Sequence, residues 1–565
     1  MTSPLPATLK LDRETTDIDR VANRYYDKLM ELDPATATIE GIPGHETQYG
    51  DLSPAGKLEV IQAAREALEQ VNEIDPQDDV DRVTLDAMNE SLGLTVEMHE
   101  AGLGDWELNN LATPAHEVRQ VFDLMPQSTR QDWLHIVGRM ENVPQALAGF
   151  TETLEEAANQ GRIAAARQIR LLIQQFGAYT EPGGFFDRLA QRAAASDAAL
   201  DNTARAAAQG ARSAYDDLAT FLRTRLLPQA PERDAVGRER YALHSRAFLG
   251  SAVDLDETYA WGVAELDRII AEQQRVADQI KSGASVREAK SVLDEDPSRK
   301  LHGKEELRDW MQDLSDRAVE NLAKEHFVIE GPMRDLECMI APTQEGGIYY
   351  TGPSADFSRP GRMWWSITEG ESEFTTWSET STVYHEGVPG HHLQISTAAA
   401  MAETMNKWRA NGLWYSGHGE GWALYAERLM ADLGYLDDPG DMMGMLDGQR
   451  MRAARVVFDI GVHCELEIPQ RWVEELDLAP GTWSPESGYE FLRHNFAIPL
   501  GQLDFEFNRY LGWCGQAPSY KVGQRMWEQL RDEAVARGES LKDFHSRALK
   551  IGSVGLDTLK RALSA

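Results

Sequence analysis

The sequence predicts a mainly α-helical protein with a small β-sheet insertion. Composition is the first observation: 42% of the 565 residues are hydrophobic and 26% charged, and Ala, Leu, Glu, Arg and Gln, which lose little side-chain freedom in a helix, are abundant. Periodicity is the second, because apolar residues recur at helical spacing through successive segments that end at Gly and Pro clusters. The third is a local change between about 327 and 380, where aromatic and β-branched residues alternate with Gly and Pro, as in short strands and long loops. The length gives a prior of about four ordinary domains, a weak one for long helical folds.

From about residue 14 to 330 the chain reads as amphipathic helices, for example near 55–75, 79–100, 127–160, 186–227 and 255–282. The breakers between them include "DPATATIEGIPGHETQYGDLSP", "NEIDPQDD", "TEPGGFF", "LLPQAPERD" and "DEDPSRKLHGKEE". No segment repeats at a fixed period and no low-complexity tract marks a linker. Residues 1–326 therefore read as a helical scaffold. Residues 327–380, with "FVIEGPMRDLECMIAP" and "GGIYYTGPSADFSRPGRMWWSIT", read as a small β and loop segment lining a cleft. Helical character returns at 381–434, 439–476, 486–513 and 519–562, so that 381–565 forms the chemistry-bearing part of one integrated catalytic unit.

Charge narrows the partners. The formal net charge of −36 repels nucleic-acid phosphates and anionic membranes, so neither is expected as a partner. The start, "MTSPLPATLKLDRETTD", lacks the basic, apolar and small-residue regions of a signal peptide, and no window approaches the roughly 20 apolar residues of a membrane span. Cys338, Cys464 and Cys514 are too few and too scattered for a disulfide framework or a Cys-rich zinc module. A cytoplasmic protein, monomer or homodimer, is the expectation.

The chemistry is concentrated in "HEGVPGHHLQ", residues 385 to 394. A zinc-protease H-E-x-x-H motif sets two histidines one turn apart on one helix face, but here the fifth position is Pro389 and the next histidines are His391 and His392. On a regular helix His391 sits about 240° from His385, and His392 returns to the same face but ~10 Å further along. Pro389 cannot donate to the carbonyl of His385 and Gly390 permits unusual dihedrals, which predicts a bulge or widened turn. A bulge adding two residues would bring His391 to the second-ligand position. The pairs beginning at His45, His99 and His116 have no histidine four positions on and act as internal controls.

Downstream, "GHGEGWALYAE" places Glu420, Ala423, Leu424 and Glu427 on one helix face. Carboxylates among apolar residues are costly unless a cation or partner holds them. Two histidines, one glutamate and an open position for water make a catalytic zinc set, and Glu386 beside the first ligand suits a general base.

The stretch from Thr382 to Glu427 resembles the gluzincin metallopeptidases, whose third ligand lies in an "N-E-G-x-A" helix echoed by Glu420-Gly421-Trp422-Ala423. "HEGVPGHHLQ" and "GHGEGWALYAERLM", preceded by "YYTGPSADFSRPG" and followed by "RVVFDIGVH" and "APSYKVG", resemble the bacterial domain-of-unknown-function family 885 (DUF885), over most of the chain. The resemblance implies kinship with M32 carboxypeptidases and hence a large helical zinc-peptidase-like fold. It implies His385, His391 and Glu420 as ligands of one zinc ion per chain and Glu386 as base.

An amide hydrolase also needs an oxyanion donor and something to position its substrate. His463, on a helix carrying Arg455, Asp459 and His463 at i, i+4 and i+8, and Tyr520 in "APSYKVG" are the donor candidates. Arg455 and Arg509 suit a free substrate carboxylate. Tyr349 and Tyr350 lie in a segment able to run beside an extended peptide, and His392 and His418 are further candidates for the pocket wall. The expected function is hydrolysis of peptide bonds in short peptides, carboxypeptidase-like. A non-peptide amide or ester hydrolase and a non-catalytic helical binding protein are the alternatives. G-x-S-x-G, G-x-x-x-x-G-K-[ST] and C-x-x-C are absent.

Overall fold

The computed structural model describes residues 13–564 apart from 342–346, 355 and 369. The first twelve residues, on which most of the leader-free reading rests, lie outside them, as do Gly346 and Ala355 of the Tyr349 segment. The described chain is mainly helical. None of its helices is long and apolar enough to cross a membrane.

Helix starts follow local capping chemistry. Thr16 and Thr129 each accept from the backbone N–H three residues on, while Asp19 and Asp132 bond back to the cap, so Asp17–Leu32 and Arg130–Asn159 open on capping boxes. Pro54 and Pro439 sit at first-turn positions whose N–H would be unpaired anyway. The expected segments near 55–75, 79–100 and 255–282 are the helices Pro54–Asn72, Asp79–Glu100 and Leu255–Ile280.

Longer expected segments are broken at identifiable residues. The 186–227 run divides at Asp197, whose carboxylate bonds the N–H of Ala199 and the side chain of Arg130. The 439–476 run ends at His463, where Glu465 turns left-handed at φ 51° and Leu466 N bonds the Gly461 carbonyl. Gly538 and Gly552, both at positive φ, divide 519–562.

Two hydrophobic cores result. The buried residues of one lie within 108–226, with Ala35, Tyr49 and Leu52 packed against it. The other joins helices of 18–92 and 241–329 to those of 381–563, so the N-terminal helices share a core with the chemistry-bearing part. A cavity of about 1060 Å³ opens between the two cores, walled by Leu29 and Met30 on one side and Leu108 and Val118 on the other.

Among the described residues β2 (Leu336–Ile340), β3 (Gly347–Thr351), β4 (Gly361–Ser366) and β5 (Glu373–Thr375) fall in the expected β segment, while β1 (Lys300–His302) lies ahead of it, in the part expected to be helical throughout. β2 pairs parallel with β4, and β3 pairs antiparallel with β4, setting Tyr349 opposite Trp364 and Tyr350 opposite Met363. β3 is an edge of this sheet. β5, paired with β1, runs directly into the helix Thr376–Glu386, which carries the first residues of the motif.

Candidate metal centre

His385 lies in the last turn of the helix Thr376–Glu386, and His391 opens the helix His391–Ala400. The bulge expected within one helix is instead a break: residues 387–390 leave helical geometry, with ψ −126° at Gly387 and −131° at Gly390. The N–H of Gly390 reaches back to the Tyr384 carbonyl at 3.0 Å. A Cβ on Gly390 would overlap the carbonyl oxygens of Tyr384 and His385, so glycine is required for this fold-back. Trp422 holds the connection from outside, its indole N–H donating to the Pro389 carbonyl at 2.9 Å.

Glu420 is positioned by a close helix crossing. The helices Ser416–Asp432 and Gln516–Ala536 meet at Gly421 and Gly523, and a Cβ on Gly421 would run into the backbone of Gly523. The donor atoms of His385, His391 and Glu420 then lie within 4.8 Å of one another. Glu420 Oε2 is 3.4 Å from His385 Nε2 and 3.5 Å from His391 Nε2. Ligands about 2.0–2.1 Å from a tetrahedral zinc are spaced by about 3.3 Å, which these separations match. His392 lies outside this set: its Nε2 donates to the Met333 carbonyl at 2.9 Å, and its Nδ1 accepts from the Tyr350 hydroxyl at 3.0 Å. Burial pushes the His392 imidazole down to about 4, so it stays neutral.

Glu427 completes the arrangement behind the first histidine. Its Oε1 is 2.7 Å from His385 Nδ1; a carboxylate only accepts, so a proton sits on Nδ1, and Nε2, turned toward Glu420, donates to it in the imidazolium and offers its lone pair to a cation in the neutral ring. Burial alone would lower the His385 imidazole, but Glu420 and Glu427 outweigh it and lift it to about 9. Burial likewise opposes ionisation of Glu420, yet bonds to His385 and His391 hold its carboxyl well below the usual range. Glu386 is 7% exposed and its carboxyl is pushed up, by burial first and by Glu420 as well, against the pull of His385, His391 and Arg452. Three carboxylates, Glu386, Glu420 and Glu427, face the guanidinium of Arg452, which stands 3.8 Å from Glu427. Two imidazoles and a carboxylate at this donor spacing, with a second carboxylate behind the first imidazole, make the residues present a match for zinc.

The other candidates occupy varied positions. Tyr520 lies in the field of Glu420 and beside Arg455; burial, then Glu420, pushes its phenol up to about 12, so it keeps its proton at neutral pH. His463 is fully buried, its Nε2 bonded to the Tyr510 carbonyl at 3.0 Å and its ring stacked on Tyr241. Arg455 and Arg509 both bond Glu506 Oε2, at 3.0 and 2.7 Å, and are engaged with that partner. Tyr349 is 42% exposed and stacks on Trp364. His418 bonds the Val554 carbonyl at 3.0 Å and packs edge-on against Trp527, inside the protein.

Arg452 escapes the sequence reading of the site, and Glu427, placed by it on the face of Glu420, takes no specific role there. Glu427 shares a helix face with Glu420, which was the available signal for its role. Arg452, three residues before Arg455, faces the cluster because its side of the helix Pro439–His463 meets Glu427. His385, His391 and Glu420 are not among the residues lining the large cavity between the cores.

Comparison with known proteins agrees with the fold. A family model described as bacterial protein of unknown function (DUF885) matches residues 34–563. The structure of a candidate lipoprotein from Colwellia psychrerythraea superposes with a TM-score of 0.83 at 22% identity, covering 97% of this chain and 98% of that one. A candidate lipoprotein of unknown function from Shewanella oneidensis gives 0.74 at 16% identity, covering 98% of this chain and 100% of that one. At such identities the likeness is one of fold alone. No curated protein sequence matches the chain.

Proposed function

The chain belongs to the bacterial family of unknown function DUF885, and from its buried His–His–Glu cluster we propose that it is a zinc-dependent metallopeptidase, carboxypeptidase-like in its action on short peptides. Under this reading it is a helical relative of the gluzincins and the M32 carboxypeptidases. The observation that carries the reading is the convergence of His385, His391 and Glu420 within 4.8 Å, backed by Glu427 at His385 Nδ1. His385, His391 and Glu420 would hold the ion. Bound there, zinc polarises a substrate carbonyl and lowers the pKa of water.

The chain's own residues supply the rest. Glu427 keeps Nε2 of His385 turned toward Glu420. Glu386 takes the proton of the attacking water and returns it to the leaving amine, a role suited to a buried carboxyl beside the cluster. Tyr520 donates its hydroxyl to the developing oxyanion. Arg452 offers the guanidinium nearest the cluster to a free substrate carboxylate. β3, an edge strand, is available to pair with the substrate backbone.

Elemental mass spectrometry and a peptide panel test this together. The expected result is about one zinc per chain, lost in His385→Ala, His391→Ala and Glu420→Ala and kept in His392→Ala. Glu386→Gln should keep the metal and lose turnover by at least about 100-fold. Peptides with a free C-terminus should be cleaved and their amides spared. Full turnover in Glu386→Gln, or a wild type that takes up no zinc, would end the proposal.

A further inference from the structure

Trp414 is 53% exposed, an unusual state for the largest apolar side chain. Its exposure is not looseness. The benzo edge of the indole lies flat on Gly419, where any Cβ would collide with the ring, so the glycine before Glu420 is the seat of this tryptophan. The ring centroid lies 6.3 Å from that of His391, tilted by 49°. The segment is held on both sides of it: Leu413 just before it packs half-buried against the core, and Tyr415 just after it is buried. A fixed apolar face is therefore held open to solvent next to one member of the metal cluster. An exposed, seated indole costs hydration free energy that a ligand can recover by covering it.

We infer that Trp414 is the specificity platform of this site, receiving an aromatic or bulky apolar side chain of the peptide next to the bond presented to the cluster. The inference rests on the peptidase reading for the identity of the ligand as a peptide. Trp414 acts by contact with the substrate side chain, as a binding residue, with no part in proton transfer. Substrates rich in Phe, Leu or Trp are the expected class, and small residues at that position bind less tightly.

The test separates binding from turnover. Zinc-loaded Glu386→Gln protein is titrated calorimetrically with the tripeptides Gly-X-Gly and Gly-Gly-X, X being Phe, Leu or Ala. In one of the two series Phe should bind about 10-fold more tightly than Ala. That preference should fall below about 2-fold in Glu386→Gln/Trp414→Ala and recover in part in Glu386→Gln/Trp414→Phe, with zinc content equal in all three. A preference that survives the loss of Trp414 overturns the inference, as does a parent protein that binds Phe and Ala peptides equally or binds neither. Wild-type hydrolysis of the same peptides decides the other question. Cleavage without side-chain preference leaves the peptidase and removes the platform; preferential binding without cleavage leaves the platform and removes the peptidase.

Discussion

Two buried polar clusters share the helix Pro439–His463 and end in opposite states of balance. In one, Glu506 accepts from Arg455, Arg509 and the Tyr510 hydroxyl, while Asp459 accepts from the Tyr241 hydroxyl and the Gly515 N–H. Two guanidinia meet two carboxylates, and His463 is spent on a backbone carbonyl. In the other, three carboxylates and two histidines face Arg452. Both are costly to desolvate. The first offsets that cost with guanidinium–carboxylate pairs inside the chain, whereas the second gathers two imidazoles and a carboxylate whose donor atoms converge on one point that a cation can occupy. A cluster whose charges pair within the chain holds the fold, and one whose carboxylates and histidines converge on a shared point marks chemistry.

The largest effect should come from unbalancing the cluster whose charges pair within the chain. Glu506→Gln leaves two buried guanidinia sharing a neutral amide, and the expected loss is about 3–5 kcal/mol of unfolding free energy. Denaturant unfolding measures it, with zinc content per folded chain unchanged. If stability is kept, the balance described for this cluster is illusory; if zinc is lost while the fold survives, the two clusters are one site.

A smaller effect is expected from the converging cluster. Glu427→Gln still accepts from His385 Nδ1 but removes one of the charges that draw in a cation, and outer hydrogen-bond partners of ligating histidines typically contribute 10- to 100-fold in metal affinity, so a loss of about 10-fold is expected. Competition with a chromophoric chelator reads this directly. Unchanged affinity would reduce Glu427 to a core carboxylate and weaken the contrast.

Sequence made one cluster more legible than the other. The spacing of His385, His391 and Glu420 was readable because local rules act on it: a His-Glu pair, a Pro-Gly break and a helix face. What it did not supply was the form of the break, because the choice between a bulge and two helices depends on Trp422 bonding Pro389 from a separate helix. The Arg455–Asp459–His463 ladder was misleading for the same reason. Its spacing is helical and Asp459 does lie 3.9 Å from His463, yet Arg455 turns to Glu506, a partner 51 residues away. Arg452 was passed over because only tertiary packing reveals which arginine faces Glu427. The helical class and most helix positions followed from periodicity, while their ends followed from single residues such as Asp197 and Glu465.

The smallest effect tests whether an acidic group beside water, with little cationic support, behaves differently from the metal cluster. Glu117 lines the cavity between the cores with Asp33 and Asp105, and Lys57, paired to Asp105, is the opposing cation. Glu117 is exposed to the cavity, yet the protein surrounding it first, then Asp33 and Asp105, push its carboxyl up to about 7, the reverse of Glu420. A carboxyl with a raised folded pKa binds more protons folded than unfolded between its ordinary value and about 7, so its contribution to stability is present at low pH and is lost as pH rises through that window. Glu117→Gln abolishes the loss. The variant should match wild type near the ordinary glutamate pKa of about 4.3 and exceed it by about 1 °C in Tm at alkaline pH, a small shift because the cavity admits water. Thermal unfolding at both ends of the window measures the difference between the two proteins and cancels the other titrating groups. A variant less stable than wild type at alkaline pH would mean that Glu117 is ionised and held by a cation, and that the cavity belongs with the balanced cluster.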